Sequence, residues 1–198
     1  MTLDDFIAYS NNTVFIVEDV IPDSPVDVIL VLESPGNEEM KNSCPLAGRS
    51  GVSICKCLGC CDDGNAFGPY VKEKYNNIAL INVSRVPLQK TKYKGESYPD
   101  SISFEALNRI RSRKQFYNNE QYNIIMDCLE QDFDSRLEKI KRSGNCKIIA
   151  CGKFAQLYCK EERNVIKVPH PSFNRWRWEQ YRDQVSEAVS IIQKALNK

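Results

Sequence analysis

The chain has 198 residues, with 27 lysines and arginines against 26 aspartates and glutamates, a net charge of +1. That length suits one domain, or one domain with an insertion, with enough chain to bury a core without covalent staples. No run is long and apolar enough to span a membrane, and the even charge leaves any contact with nucleic acid to a local patch.

The first residues, "MTLDDFIAYSNN", are acidic and lack the apolar segment of a secretory signal, which predicts a cytoplasmic protein with its nine cysteines reduced. "TVFIVED" (residues 13–19) reads as an added edge strand. "VDVILVLE" (26–33) is a continuous apolar run, rich in Val, Ile and Leu, that ends abruptly in Glu33. Such a run, bounded by turn residues, predicts a strand buried on both faces. A Ser-Pro-Gly turn follows it. Next comes a small basic loop in which Arg49 stands among Gly48, Ser50 and Gly51. "CKCLGCC" then crowds Cys55, Cys57, Cys60 and Cys61 together.

"NIALINVS" (77–84) predicts a second buried strand ending near Asn82. Residues 87–119 form a basic, aromatic insertion carrying Lys90, Lys92, Lys94, Arg109, Arg111, Arg113 and Lys114, with a helix predicted in "SFEALNRIRSRK". Such charges most often form a solvated face, but their concentration here also suits phosphate contacts. Ile125, Leu129, Phe133, Leu137 and Ile140 recur at helical steps, with Gly144 as the stop. "CKIIACG" (146–152) and "NVIKVPH" (164–170) predict two more strands, with a short helix after Gly152. A last stripe runs through Trp178, Tyr181, Val185, Ala188, Ile192 and Leu196.

This alternation predicts an α/β fold: three α/β/α layers around a central, mostly parallel four-stranded sheet, spanning residues 1–198 as one domain. Open parallel sheets bind ligands beyond the carboxyl ends of their strands. Glu33, Asn82, Gly152 and His170, the only histidine, would share that rim.

In that order, "LESPGNEE", "CPLAGRSG", "LINVSRVP", "IIACGKFA" and "PHPSF" resemble motifs of the uracil-DNA glycosylase superfamily, most nearly the branch whose first motif reads Gly-Glu-Ala-Pro-Gly. The resemblance spans roughly residues 26–175 and does not extend to the insertion. It implies catalytic roles for Glu33 and His170, and base contacts from Asn82, Leu46 and Gly36. It places DNA contacts at Arg49, Ser50, Ser172, Phe173, Arg175 and Trp176. Two departures stand out. Leu32 replaces the first glycine of the leading motif. Leu46 stands where relatives stack an aromatic on the base, which leaves room for a bulkier pyrimidine.

The related branch carries an iron-sulfur cluster on four cysteines. Here no cysteine precedes Cys44, Val86 occupies a ligand position and Cys128 alone lies near the fourth, so no cluster is expected at that site. Zinc at Cys55, Cys57, Cys60 and Cys61 is less expected than free thiols, because the run lacks a distant second ligand pair. Trp178 is expected in the core of the last helix.

Breaking an N-glycosidic bond calls for a carboxylate against the cationic sugar and a donor at the pyrimidine O2, roles suited to Glu33 and His170. Asn82 offers a donor and an acceptor to the base edge. The expected function is a DNA glycosylase acting on uracil or a related modified pyrimidine flipped out of DNA, in repair or in defence against modified phage DNA. It needs no cofactor and works as a monomer away from membranes. The alternatives are a non-catalytic nucleic-acid-binding module on the same fold and a hydrolase of small nucleosides. In the blander alternative, Glu33 caps a turn, Asn82 satisfies backbone groups and His170 sits in a rigid turn.

Overall fold

Four short apolar runs build the centre of the molecule. In a computed structural model, which describes residues 1–61, 64–90, 98, 101–112, 120–142 and 145–198, they form β1 (Val28–Leu32), β2 (Ile78–Asn82), β3 (Lys147–Cys151) and β4 (Val165–Val168). Each is one or two residues shorter at either end than its apolar run. All neighbours pair in parallel in the order β2-β1-β3-β4. Lys92, Lys94, Arg113, Lys114 and the expected stop at Gly144 lie outside the described residues.

Side chains alternate across the sheet and feed two cores. One face, with Ile29, Val31, Ala79 and Ile81, is covered by α1 (Leu3–Ser10), α5 (Phe104–Ser112), α6 (Glu120–Lys141) and α7 (Lys153–Tyr158). The other, with Val28, Leu30, Ile78 and Leu80, is covered by α3 (Arg49–Leu58), α4 (Phe67–Lys74) and α8 (Arg182–Leu196). The fold is therefore a three-layer α/β/α sandwich on an all-parallel sheet. A short α2 (Asn37–Asn42) links β1 to α3. Among the described residues no helix is long and apolar enough to cross a membrane.

Two local expectations are corrected, and one stretch gains a structure that its sequence pattern left open. Residues 13–19 form no edge strand; the segment reaches the sheet only through an antiparallel bridge at Val20 and Leu80. The acidic first stretch is α1, closed by a capping box between Thr2 and Asp5 that satisfies both backbone amides. The expected basic loop is the first turn of α3, with Gly48 as its N-cap.

Candidate functional site

β1 lies between β2 and β3, so the crossovers from β1 to β2 and from β2 to β3 run in opposite directions and the strand order reverses between β1 and β3, the switch point beyond whose carboxyl ends open sheets bind ligands. Glu33 directly follows β1, and Gly152 directly follows β3. Asn82 ends β2, in register with Leu32. His170 stands two residues beyond β4 but folds back over β3: a Cβ placed on Gly152 would meet the His170 Cβ at 3.0 Å. Gly152 has φ of +92°, so both its backbone and its missing side chain serve this close approach. With strands about 4.8 Å apart, the strand ends from β2 to β3 span about 10 Å.

Asn82 carries the clearest signal. Its side chain is 0% exposed, and neither its Oδ1 nor its Nδ2 has a hydrogen-bond partner among the described residues. Buried carboxamides are normally satisfied, so this one is costly to the free protein. Its backbone is held firmly. Arg136 of α6 donates to the Asn82 carbonyl at 3.0 Å and to the Val83 carbonyl at 2.8 Å, and its guanidinium also binds Asp19 and Asp132. Burial pushes the Asp19 carboxyl up from its ordinary value, outweighing the pull of Arg136 in the other direction.

Glu33 is engaged from the insertion. Arg111 of α5 donates through Nε to Oε1 of Glu33, and Gln89 Nε2 donates to the same oxygen at 2.9 Å. Gln89 is positioned because Pro87 and Leu88 are buried beside it, with Tyr9 donating its hydroxyl to the Pro87 carbonyl. Of the other insertion charges, Arg109 pairs with Glu105, and the ammonium of Lys90 lies 5.4 Å from the centre of the Tyr98 ring.

His170 Nδ1 accepts the backbone N–H of Ser172 at 3.2 Å. In the neutral imidazole that leaves the proton on Nε2, making the opposite edge of the ring the donor. Ser172 thus acts on His170 through its backbone.

The stretch after Glu33 is organised by a residue that the motifs passed over. The Glu39 carboxylate accepts the N–H of Gly36 and the N–H of Leu46, each at 2.6 Å, and so ties the two ends of the turn together. Leu46 has φ of +57° and is 1% exposed, packed in the core beneath the crevice. The structure thus places it in packing, where the resemblance implies a wall of the base pocket. Gly51 and Gly68 clamp this segment, since a Cβ on either would come within 1.8 Å of the Leu46 or the Pro45 carbonyl. Gly51 therefore serves chain packing, with no open space left for a phosphate. Arg49 is exposed and Ser50 partly so, at the start of α3.

The two tryptophans exchange their expected places. Trp176 is 3% exposed, and its Nε1 donates to the Pro169 carbonyl at 2.7 Å, so it belongs to the core and is no surface contact. Trp178, expected in the core of α8, is 42% exposed and stacks on Tyr181. Phe173 is 79% exposed, with φ of +57°, and the Arg175 guanidinium lies within 6 Å of both the Phe173 and Trp178 rings (5.8 and 5.9 Å).

Two of the nine cysteines are not free thiols: Cys55 and Cys61 form a disulfide. Cys44 is buried, and burial pushes its thiol up to about 11. Val86 and Cys128 line one cleft of about 190 Å³, together with Phe6, Ser10 and Asp132; Cys128 is its only thiol among the described residues, so the donor set does not fit a four-thiolate cluster. A larger cleft, of about 390 Å³, is lined by Lys141 and Glu162 around the residues that precede β3 and β4, at the opposite end of the sheet from Glu33.

Sequence reasoning missed Glu39 and Arg136, though both left a trace. Glu39 follows Gly36 at capping-box spacing, and Arg136 interrupts the apolar stripe of α6 between Phe133 and Leu137. No protein-family model matches this chain and no curated protein is similar to it, so the resemblance rests on the motif residues themselves.

Proposed function

We propose that the chain is a DNA glycosylase that hydrolyses the N-glycosidic bond of uracil or a related pyrimidine turned out of the DNA stack. The observation that carries this reading is the unpartnered carboxamide of Asn82 at the end of β2, on the sheet end that also holds Glu33 and His170; because Asn82 is 0% exposed, a base reaches it only when the groups covering it move aside. A pyrimidine edge, with adjacent donor and acceptor, is a ligand that satisfies both atoms of a carboxamide at once. A base with the wrong pattern leaves them buried and unpaired, which gives strong discrimination.

In this mechanism the bond from C1′ to the base nitrogen breaks, and C1′ gains a bond to a water oxygen. Glu33 faces the sugar as positive charge develops there and orients the water. His170, with its proton on Nε2, donates to the pyrimidine O2 as negative charge moves onto the base. The base finally takes up the proton that the water loses. Arg49 and Ser50 at the start of α3 supply contacts to the DNA backbone, as do Arg175 and Phe173 on the rim.

A second reading, a non-catalytic nucleic-acid-binding module, is favoured by one feature: the Glu33 carboxylate is already engaged by Arg111 and Gln89. Oligonucleotides carrying single uracil, hypoxanthine or hydroxymethylcytosine, treated with alkali after incubation, separate the two. Strand breaks that disappear in Glu33→Ala and His170→Ala are the expected result. Tight DNA binding with no base release would establish the second reading instead.

A further inference from the structure

The structure assigns a second site, independent of the glycosylase reading: we infer that Cys55, Cys60 and Cys61 together form a thiolate site for a soft divalent cation such as zinc, closed as a disulfide in its oxidised form. The sulfurs of these three residues all lie within 4.8 Å of one another.

The chain brings them together for a local reason. Cys55 sits in the last turn of α3, and the helix ends at Gly59 in the left-handed conformation. The Gly59 and Cys60 amides both return to the Cys55 carbonyl, at 2.8 and 3.4 Å. This reversal folds Cys60 and Cys61 back over Cys55. The Gln193 side chain on α8 donates to the Leu58 carbonyl and anchors the same turn. Cys60 Sγ and Cys61 Sγ are 3.6 Å apart. Two sulfurs each about 2.3 Å from a tetrahedral zinc stand about 3.8 Å apart, so this pair already has nearly the spacing that the metal requires.

Cys57 is excluded by direction. It lies two residues along the helix from Cys55 and points away, its thiol directed to the Trp176 carbonyl at 3.8 Å. Among the described residues these three are the protein ligands, and a fourth position is left to a further ligand. The site lies at the far end of α3, Cys55 being about 9 Å along the helix from Arg49, so its role is to hold the reversal that ends α3.

The disulfide and the metal compete for the same sulfurs. An external dithiol reduces the Cys55–Cys61 bond, leaving two thiols and becoming a disulfide itself. The three thiols then release their protons to solvent as they ligate the cation. The full chain, reduced with a dithiol and freed of that reductant without oxygen, is titrated with Co²⁺ and then with Zn²⁺. The expected result is one equivalent of Co²⁺ with thiolate-to-cobalt charge-transfer absorption, displaced by one equivalent of Zn²⁺. Unreduced protein should bind neither. Cys60→Ser, at a half-buried position that folding tolerates, should weaken binding more than about 100-fold, beyond the loss typical of a supporting residue. Cys57→Ser should leave binding unchanged. Absence of the charge-transfer band in reduced protein, full affinity in Cys60→Ser, or an equal loss in Cys57→Ser would each overturn the assignment.

Discussion

Arg111, on a helix of the basic insertion, donates to the same Glu33 oxygen that accepts from Gln89. Among the described residues no bond reaches the other oxygen, Oε2. Two donors on one oxygen fix the plane of a carboxylate and leave its second oxygen to face a reacting group. The insertion therefore extends to the crevice itself. If Glu33 faces the sugar, Arg111 and Gln89 are its positioning residues, and their loss degrades alignment more than substrate affinity.

Arg111→Ala is accordingly expected to lower kcat by about 10- to 100-fold with a smaller change in KM. Arg111→Lys should retain part of the rate, and added guanidinium should restore some of it to Arg111→Ala. A change confined to KM would mean that Arg111 serves phosphate binding instead. Single-turnover base release from a uracil oligonucleotide distinguishes these outcomes.

Asn82 gives a sharper test, because its structural and functional readings predict opposite signs. A buried carboxamide with no partner destabilises the free protein, and Leu has similar volume with nothing to satisfy. Asn82→Leu should therefore stabilise the fold by about 1 kcal/mol or more, which raises Tm by about 2–4 °C per kcal/mol in a chain of this size. The same substitution should abolish base release. A fall in Tm would show that the carboxamide already has a partner in the free protein, which removes the main argument for base reading.

The buried ion pair behind Asn82 responds to pH with a definite sign. Burial raises the Asp19 carboxyl, so folded protein holds that proton more readily than unfolded protein does. The stability gained this way is complete below the unfolded value, about 3.9, and is lost as pH rises through the raised folded value. Urea unfolding of wild type and Asp19→Asn across this range should show the variant gaining on wild type as pH rises. Arg136→Met should instead cost about 3–5 kcal/mol at neutral pH, since it leaves Asp19 and two buried carbonyls without their donor. Equal pH profiles for wild type and Asp19→Asn would contradict the raised value.

The architecture was readable because buried parallel strands carry an unmistakable signal. Leu30 and Ile81 belong to runs that are apolar on both faces, and only a strand covered on both sides tolerates that. The rim was readable for a related reason: polar groups such as Asn82 and Glu33 break those runs at one end. What the chain order concealed was placement by distant partners. Arg111 could be a solvated charge until α5 is laid beside β1. The helical stripe reads back to Trp178, but α8 begins only at Arg182, so the periodicity that assigns Trp178 to the core does not apply to it. Leu46 looked like a pocket wall because the motif puts an aromatic there, yet the glycines at 51 and 68 draw its backbone down and bury it. The Cys55–Cys61 bond depends on the reversal at Gly59, which spacing alone does not specify.

Phe173 is the remaining rim residue with a distinct prediction. It is 79% exposed with a left-handed backbone, a combination that costs stability and gains little within the free protein beyond the Arg175 contact. Asn174 shares that conformation, with φ of +54°, so the pair projects as a tight ridge, and Arg175 lies close to the Phe173 ring. An apolar ring so placed fits the gap left in a duplex when a nucleotide turns out. Base–aromatic stacking contributes about 1–3 kcal/mol. Phe173→Ala should therefore slow base release from duplex DNA by about 10-fold or more, with little effect on single strands, where no gap has to be held open. Because the ring is exposed and Ala retains the Cβ that makes the backbone strained, the variant should be about as stable as wild type. Equal losses on single-stranded and duplex substrates, measured side by side under single-turnover conditions, would show that Phe173 contacts the substrate without filling the gap.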